Sequence, residues 1–238
     1  MIHFVTFLWN GWRPVYGPQH VNALSRMLAA NMSMPYSFTA IVDDPKGITE
    51  CPTFPLWAPP EVNLIKTRNS FTRLRLFDPS VALLFGAEGD WVVNVDLDCV
   101  IIDDLQPLIE SALSSQCSFA AVRGRSAPIN GSMWMNRIGS NTHVWESFTK
   151  DAPAKIAATK HNGKTIIGSD QAWMSMKIKH PATWGPEDGV AQYLHLHEVA
   201  PTDAKVVFFA GATKPWDLAC KQQHPELYDT YKFYLGNA

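Results

Sequence analysis

Two carboxylates one residue apart, Asp96 and Asp98, lie in the stretch Trp91-Val92-Val93-Asn94-Val95-Asp96-Leu97-Asp98-Cys99-Val100-Ile101. The apolar, largely β-branched run before Asp96 is the pattern of a buried strand, which puts both acids at its carboxyl end. In open α/β sheets, ligands collect at that edge. An uncompensated charge ending a hydrophobic strand is costly, and two acids at a strand-to-turn transition can converge on one divalent cation. Mg²⁺ and Mn²⁺ take hard oxygen ligands, commonly one or two carboxylates together with substrate phosphates. The competing reading has Asp96 and Asp98 capping backbone groups or facing solvent.

Other groups suit the same chemistry. Lys214, in Gly211-Ala212-Thr213-Lys214-Pro215-Trp216, supplies a mobile point charge for phosphates, or is a solvated loop lysine beside a Pro-Trp packing element. Asp170 and Gln171 open a helix with Ser169 as its N-cap, where a carboxylate gains from the helix dipole. Arg73 and Arg75, two apart on a helix, cannot share a face. His195-Leu196-His197 reads as a strand with both imidazoles on one side, either a pair of surface histidines or two ligands lacking a third.

The elements that must hold these groups alternate. Strand signals cover Ile2–Leu8, Phe38–Val42, the short Phe54–Trp57 and Trp91–Val95. Between them Val21, Leu24, Met27 and Leu28 recur at helical spacing up to Pro35, and Phe71–Phe77 and Val81–Phe85 are helical. That is the order of a parallel α/β sheet. In the second half, Leu105–Leu113 and Ser169–Ile178 read as helices, and Phe119–Val122, Ser132–Met135 and Val206–Phe209 as strands.

Composition sets the outer bounds. At 26.6 kDa the folded chain exposes roughly 10,700 Å² against roughly 38,600 Å² unfolded, enough to bury a core without staples. Hydrophobic residues make up 46% and charged residues 18%, which excludes disorder. Lys+Arg 20 against Asp+Glu 22 gives a net charge of −2, leaving no electrostatic footprint for nucleic acid. Cys51, Cys99, Cys117 and Cys220 show no metal or disulfide spacing and read as reduced, packed thiols. The apolar N-terminal run lacks the basic start of a signal peptide, and no run is long enough to span a bilayer. A cytoplasmic protein is expected.

The segment Asp90–Pro107, with Val95-Asp96-Leu97-Asp98 followed by Asp104-Leu105-Gln106-Pro107-Leu108, resembles the metal-binding segment of A-type-fold nucleotide-sugar glycosyltransferases. It is most similar to the retaining galactosyltransferase and glycogenin-like family. Phe71-Thr72-Arg73-Leu74-Arg75-Leu76, Asn130-Gly131-Ser132, Ser169-Asp170-Gln171 and Gly211-Ala212-Thr213-Lys214-Pro215-Trp216 resemble further motifs of that family in the same order. The resemblance implies a single GT-A (Rossmann-like) domain over residues 1–238, with a mixed, mostly parallel sheet flanked by helices. About 1–104 forms the nucleotide-sugar-binding half and about 105–238 the acceptor half with its closing loop. It implies Mn²⁺ or Mg²⁺ on Asp96 and Asp98, and a UDP-sugar contacted by Arg73, Asp96, Asn130, Gly131, Gly211 and Lys214. Thr6, Asn10, Tyr16 and Asp43 are the candidates for the nucleoside, with Trp9 beside them. Asp170 and Gln171 would work at the anomeric carbon, and a glycan or other hydroxyl compound would be the acceptor, reached with retention of configuration. Arg123 and Arg125 are candidates for phosphates or acceptor. One departure stands out. The family places a metal-binding histidine just before the loop glycine, where this chain has Phe208-Phe209-Ala210; Asp217, His224 and the His195/His197 pair are the candidates to stand in.

Two other functions compete. A non-catalytic sugar-nucleotide or glycan-binding protein of the same fold draws on the missing histidine. A sugar-phosphate nucleotidyltransferase would want a glycine-rich basic loop after the first strand, of which Asn10-Gly11-Trp12-Arg13 is a poor version.

Overall fold

In a computed structural model, which describes residues 1–9, 15–56, 71–125, 127–148, 155, 160–161, 164–165, 170–197 and 203–236, the run Ile2–Leu8 forms strand β1 with all seven residues buried. Such burial requires cover on both faces. Helix α1 (Pro18–Ala30) follows, entered through an extended Gly17 with Pro18 at its first position, where the missing N–H costs nothing. Strands β2 (Tyr36–Val42), β3 (Thr53–Pro55), β4 (Trp91–Val95), β5 (Cys99–Ile101), β6 (Phe119–Arg123) and β7 (Ile129–Arg137) come next. They are interspersed with a 3₁₀ helix at Phe71–Phe77, α2 (Pro79–Ala82) and α3 (Gln106–Ser114). After these lie α4 (His143–Glu146), the two-residue pair β8 (Lys160–His161) and β9 (Lys164–Thr165), α5 (Asp170–Lys177), β10 (Ala182–Trp184), β11 (Val190–Gln192) and β12 (Val206–Phe208). Helices α6 (Leu218–Gln223) and α7 (Pro225–Leu235) end the chain's described part.

Seven strands form one sheet in the order β10-β6-β7-β4-β1-β2-β3. β1 is parallel to β2 and β4, β2 to β3, and β10 to β6; β7 alone runs against its neighbours β4 and β6. This is the expected mixed, mostly parallel α/β sheet, and it draws strands from both halves of the sequence. A smaller sheet, β11-β12-β5, is parallel at β11–β12 and antiparallel at β12–β5.

Side-chain alternation along the strands separates two buried clusters. Phe4, Val93 and Val95 pack with Val21, Leu24, Met27 and Leu28 of α1 on one face. Val5, Phe7, Val92 and Trp134 pack with Phe71, Leu74, Phe77 and Trp173 on the other. The same two-residue period puts Asp96 on the Val92 face, toward the 3₁₀ helix.

Several sequence expectations need correction. Phe71–Phe77 is helical, but as a 3₁₀ helix. The third strand stops at Pro55 rather than Trp57, which lies outside the described residues. His195 ends a 3₁₀ turn, Tyr193–His195, so His195-Leu196-His197 is no strand. All four cysteines are free, with Cys99 and Cys220 buried. No helix among the described residues is long and apolar enough to cross a membrane.

Candidate active site

Arg73 is the hub of the site. It is 7% exposed and meets three partners. Its Nη1 bonds Asp96 Oδ1 and donates to Gly131 O at 3.1 Å, and Nη2 donates to Asp170 Oδ1 at 3.0 Å. Nε also lies 2.7 Å from Asp170 Oδ2. Asp170 is wholly buried, a position a carboxylate tolerates only beside a cation. Burial opposes the charged guanidinium of Arg73, but Asp170 and then Asp96 outweigh it, so its pKa is raised. The neighbouring Arg75 turns elsewhere, to Asp78 at 2.9 Å and over the Trp145 ring at 4.7 Å. The two arginines thus point to different partners, as residues two apart on a helix must.

A second cation holds the second acid. Lys214 Nζ donates to Asp98 Oδ2 at 2.5 Å and to Phe209 O at 3.1 Å. Tyr16 Oη donates to the same carboxylate oxygen at 2.9 Å. The two side chains of the ion pair are only 11% and 14% exposed. Lys214 is therefore not the solvated loop lysine of the competing reading; its backbone N–H is also pinned, to Asp217 Oδ2 at 2.7 Å.

The strands explain why the two acids meet different cations. Asp96 still belongs to the ladder, its N–H donating to Ser132 O at 2.8 Å. Asp98 lies beyond the strand's end, where its carbonyl accepts from Phe209 N at 2.8 Å as β12 pairs with β5. The cluster thus holds three carboxylates and two cations. Burial pushes the Asp96 carboxyl up from the usual range to about 7; Arg73 opposes that rise, while Asp98 and Asp170 add to it. Asp96 still keeps 30% of its side chain exposed, at the open side of the cluster. Tyr16 is likewise pushed up, by burial and then by Asp98.

Asn130, Gly131, Asp170 and Gln171 lie beside this cluster. Asn130 Oδ1 takes the Ser132 N–H at 2.8 Å, and Gly131 N donates to Gln171 Oε1 at 3.2 Å. A Cβ at Gly131 would stand 3.3 Å from Arg73 Nη2 and from Gln171 Cβ, so a side chain there would press on both. Gly211 has φ +104°, a backbone region L-residues avoid, and it starts the turn that brings Lys214 back to Asp98. Of the remaining candidates, Thr6 is fully buried and spends its hydroxyl on Val95 O at 2.8 Å. It braces β1 against β4 and offers nothing to a nucleoside. Asp43 is exposed at the end of β2. Asn10 and Ser169 lie outside the described residues, as does the loop Asn10–Arg13.

None of the three stand-ins for the missing histidine reaches the acids as placed. Asp217 closes the Lys214 turn, His224 pairs with Glu226 at 3.3 Å, and the His195 and His197 rings, 5.9 Å apart, sit by the 3₁₀ turn. Among the described residues no group of three or more His, Cys, Asp or Glu is arranged to hold a metal. The all-oxygen pair Asp96 and Asp98 fits Mg²⁺ or Mn²⁺, with the remaining positions left to ligand and water. Tyr16 and Trp216, 5.8 Å apart edge-to-face, pack under Lys214. Pairing of Tyr16 with Asp98 had no signal in the sequence, whereas a buried cation opposite Asp170 follows from charge balance once that acid is known to be buried.

The fold is that of the A-type glycosyltransferases. Among solved structures, the galactosyltransferase LgtC with donor and acceptor sugar analogs superposes with a TM-score of 0.59 at 10% identity, covering 98% of this chain and 95% of that one. The bifunctional glycosyltransferase WbbM in its apo form gives 0.61 at 13%, covering 100% and 50%. The apo-form glycosyltransferase GlyE of Streptococcus pneumoniae TIGR4 gives 0.58 at 15%, covering 98% and 62%. No family model matches the sequence, and no curated protein matches it.

Proposed function

We propose that the protein is a metal-assisted glycosyltransferase that moves a hexose from a UDP-sugar to a hydroxyl acceptor with retention of configuration. One observation carries this reading. At the carboxyl end of β4, Asp96 and Asp98 are met by two separate cations, Arg73 and Lys214, in a cluster with one carboxylate in excess. Such a cluster accepts a further cation and presents its own lysine to an anion.

Asp96 and Asp98 would hold Mn²⁺ or Mg²⁺, which when bound neutralises the charge that develops on a departing diphosphate. Lys214, drawn off Asp98, would turn its charge to the same phosphates. Arg73 orients Asp170 at the helix N-terminus, where it would accept from sugar hydroxyls. Gln171, its oxygen already tied to Gly131 N–H, brings its amide to the anomeric region. In the transfer, the bond from the anomeric carbon to the phosphate oxygen breaks and one to the acceptor oxygen forms, while the acceptor's proton passes to the leaving phosphate. No strong protein nucleophile is then required on the retained face. LgtC was solved with donor and acceptor sugar analogs, the ligand pair this reading assigns here. A further LgtC structure is of an active-site mutant with glutamate replacing a glutamine, and Gln171 is this chain's candidate for that place.

The test is incubation with a panel of UDP- and GDP-sugars plus Mn²⁺, following nucleotide release. Release from one donor, lost in Asp98→Ala with the fold intact by circular dichroism, is expected. UDP affinity that calorimetry finds indifferent to manganese and magnesium overturns the reading. A second reading, a binding protein without turnover, is favoured by the fact that Arg73 and Lys214 already occupy both acids and, among the described residues, no third metal-binding side chain joins them. It predicts metal-dependent UDP binding with no release across acceptors.

A further inference from the structure

A cavity of about 230 Å³ opens one strand beyond the acidic cluster, against β6, β10 and β11. Its position relative to the site follows from register. Val122 on its wall is the β-ladder partner of Asn130, and Gln192 is the partner of Phe208, whose neighbour Phe209 holds Lys214 through its carbonyl. Both sheets that build the carboxylate cluster thus continue directly into the cavity walls. The volume is below the about 300–1,000 Å³ typical of pockets for drug-sized ligands, and suits a single sugar ring.

The lining is chemically one-sided. Val122 and Trp184 are apolar walls, the indole N–H of Trp184 being spent on Leu108 O at 2.9 Å. Arg123, Arg125, Gln192 and His195 supply the polar groups, and no acidic side chain is among the described residues that line it. Arg123 is held in place from outside by Glu187, with Nη1 3.3 Å from Oε2 and a second, shorter contact between Nη2 and Oε1. Gly185 makes room for that pair, since a Cβ there would stand 2.8 Å from Arg123 Nη1 and 2.6 Å from Glu187 Oε2. Gly124, between the two arginines, is equally constrained: a Cβ would meet Ala127 O at 2.0 Å. Arg123 and Arg125, on either side of this turn, both line the cavity.

We propose that this cavity receives the acceptor and selects a sugar bearing an anionic group, a carboxylate or a phosphate monoester, read by Arg125 and Arg123 with Gln192 contacting its hydroxyls. The assignment as acceptor rests on the transferase reading; the preference for a charged sugar does not. Guanidinium forks match both acid types in bidentate geometry.

The full chain is titrated at low ionic strength with methyl β-glucuronide, with methyl glucoside 6-phosphate and with methyl β-glucoside, by ligand-observed NMR. At least one charged glycoside is expected to bind about tenfold more tightly than the neutral one, and the tighter of the two identifies the acid. Arg125→Gln weakens binding of the charged probe while the neutral probe's affinity is retained, and Arg123→Gln/Arg125→Gln brings the charged probe down to the neutral probe's affinity. Equal binding of all three probes by the native chain, or a preference that survives in an Arg123→Gln/Arg125→Gln variant, overturns the proposal. These titrations contain no nucleotide, so a failure of the donor reading registers separately, as UDP affinity indifferent to metal.

Discussion

Replacing Lys214 with methionine keeps most of the length and apolar packing of the side chain and removes its charge together with its bonds to Asp98 and to Phe209 O. In the native fold that charge sits 2.5 Å from Asp98 Oδ2, with the two side chains 11% and 14% exposed. Breaking a buried pair by deleting one partner costs about 3–5 kcal/mol. The lower end applies here because both groups keep some solvent and Tyr16 Oη still donates to Asp98. For a chain of this length, about 3 kcal/mol lowers the melting temperature by roughly 6–12 °C. The same change removes the competitor for the cation site. A charge-assisted hydrogen bond contributes about 1.5–3 kcal/mol, so manganese alone should bind Lys214→Met about 10- to 100-fold more tightly, while UDP binds more weakly for want of the lysine. Calorimetry with MnCl₂ and with UDP, together with thermal melts with and without metal, reads all three effects; manganese should restore most of the lost stability. A variant that melts within about 2 °C of the native protein and binds manganese no more tightly refutes the idea that Lys214 is a stored counter-ion.

Two other outcomes follow from the cluster. Asp96 is pushed up to about 7 by burial, Arg73 offsetting part of the rise, so its proton is held in the fold at pH values where the unfolded chain has lost it. The metal-free protein should lose stability relative to Asp96→Asn as pH rises from about 4 to about 7, and manganese affinity should climb over the upper part of that span as the ligand is freed of its proton; melts and metal titrations from pH 5 to 8 check both, and pH-independent metal affinity counts against the assignment. Arg73→Met leaves Asp170, wholly buried, without its cation and should cost about 3–5 kcal/mol, with Arg73→Met/Asp170→Asn recovering much of it in urea unfolding; a single variant losing under about 1 kcal/mol shows the pair to be no more than a surface contact.

Legibility in the sequence followed the strength of each local signal. Ile2–Leu8 and Trp91–Val95 match β1 and β4 residue for residue, because a strand buried on both faces is apolar throughout and bounded by turns. Ser132–Met135 captured only the apolar middle of β7; Asn130, Asn136 and Arg137 hide its ends, which the ladders to β4 and β6 nevertheless include. Three-residue strands such as β5, β10 and β11 are too short for any period to register, and they exist because longer partners pair with them. Helix α7 had no reading at all, although Leu227 and Tyr231 are buried one turn apart. At the site, Asp96 and Asp98 announce themselves by interrupting an apolar strand, and Arg73 entered by family resemblance. The pairing of Lys214 with Asp98 spans 116 positions, a closure that only the β12–β5 contact produces and no spacing rule encodes.

The missing histidine then acquires a physical consequence. Phe208 and Phe209 are wholly or almost wholly buried, and they spend their side chains on packing, with Phe209 stacked on Tyr193 at 4.5 Å. With no third metal-binding side chain beside them among the described residues, a cation held by Asp96 and Asp98 on the proposed reading would complete its shell from a diphosphate and water. Each ligand would then supply part of the other's site: a diphosphate would offer oxygens to the metal and an anion to Lys214, while the metal would relieve the excess carboxylate charge that would repel the diphosphate. Such coupling is reciprocal by thermodynamic necessity, so whatever factor metal adds to nucleotide affinity, nucleotide adds to metal affinity. On the proposed reading, a site built on two carboxylates and a displaceable lysine would therefore take up metal and nucleotide together more readily than either alone.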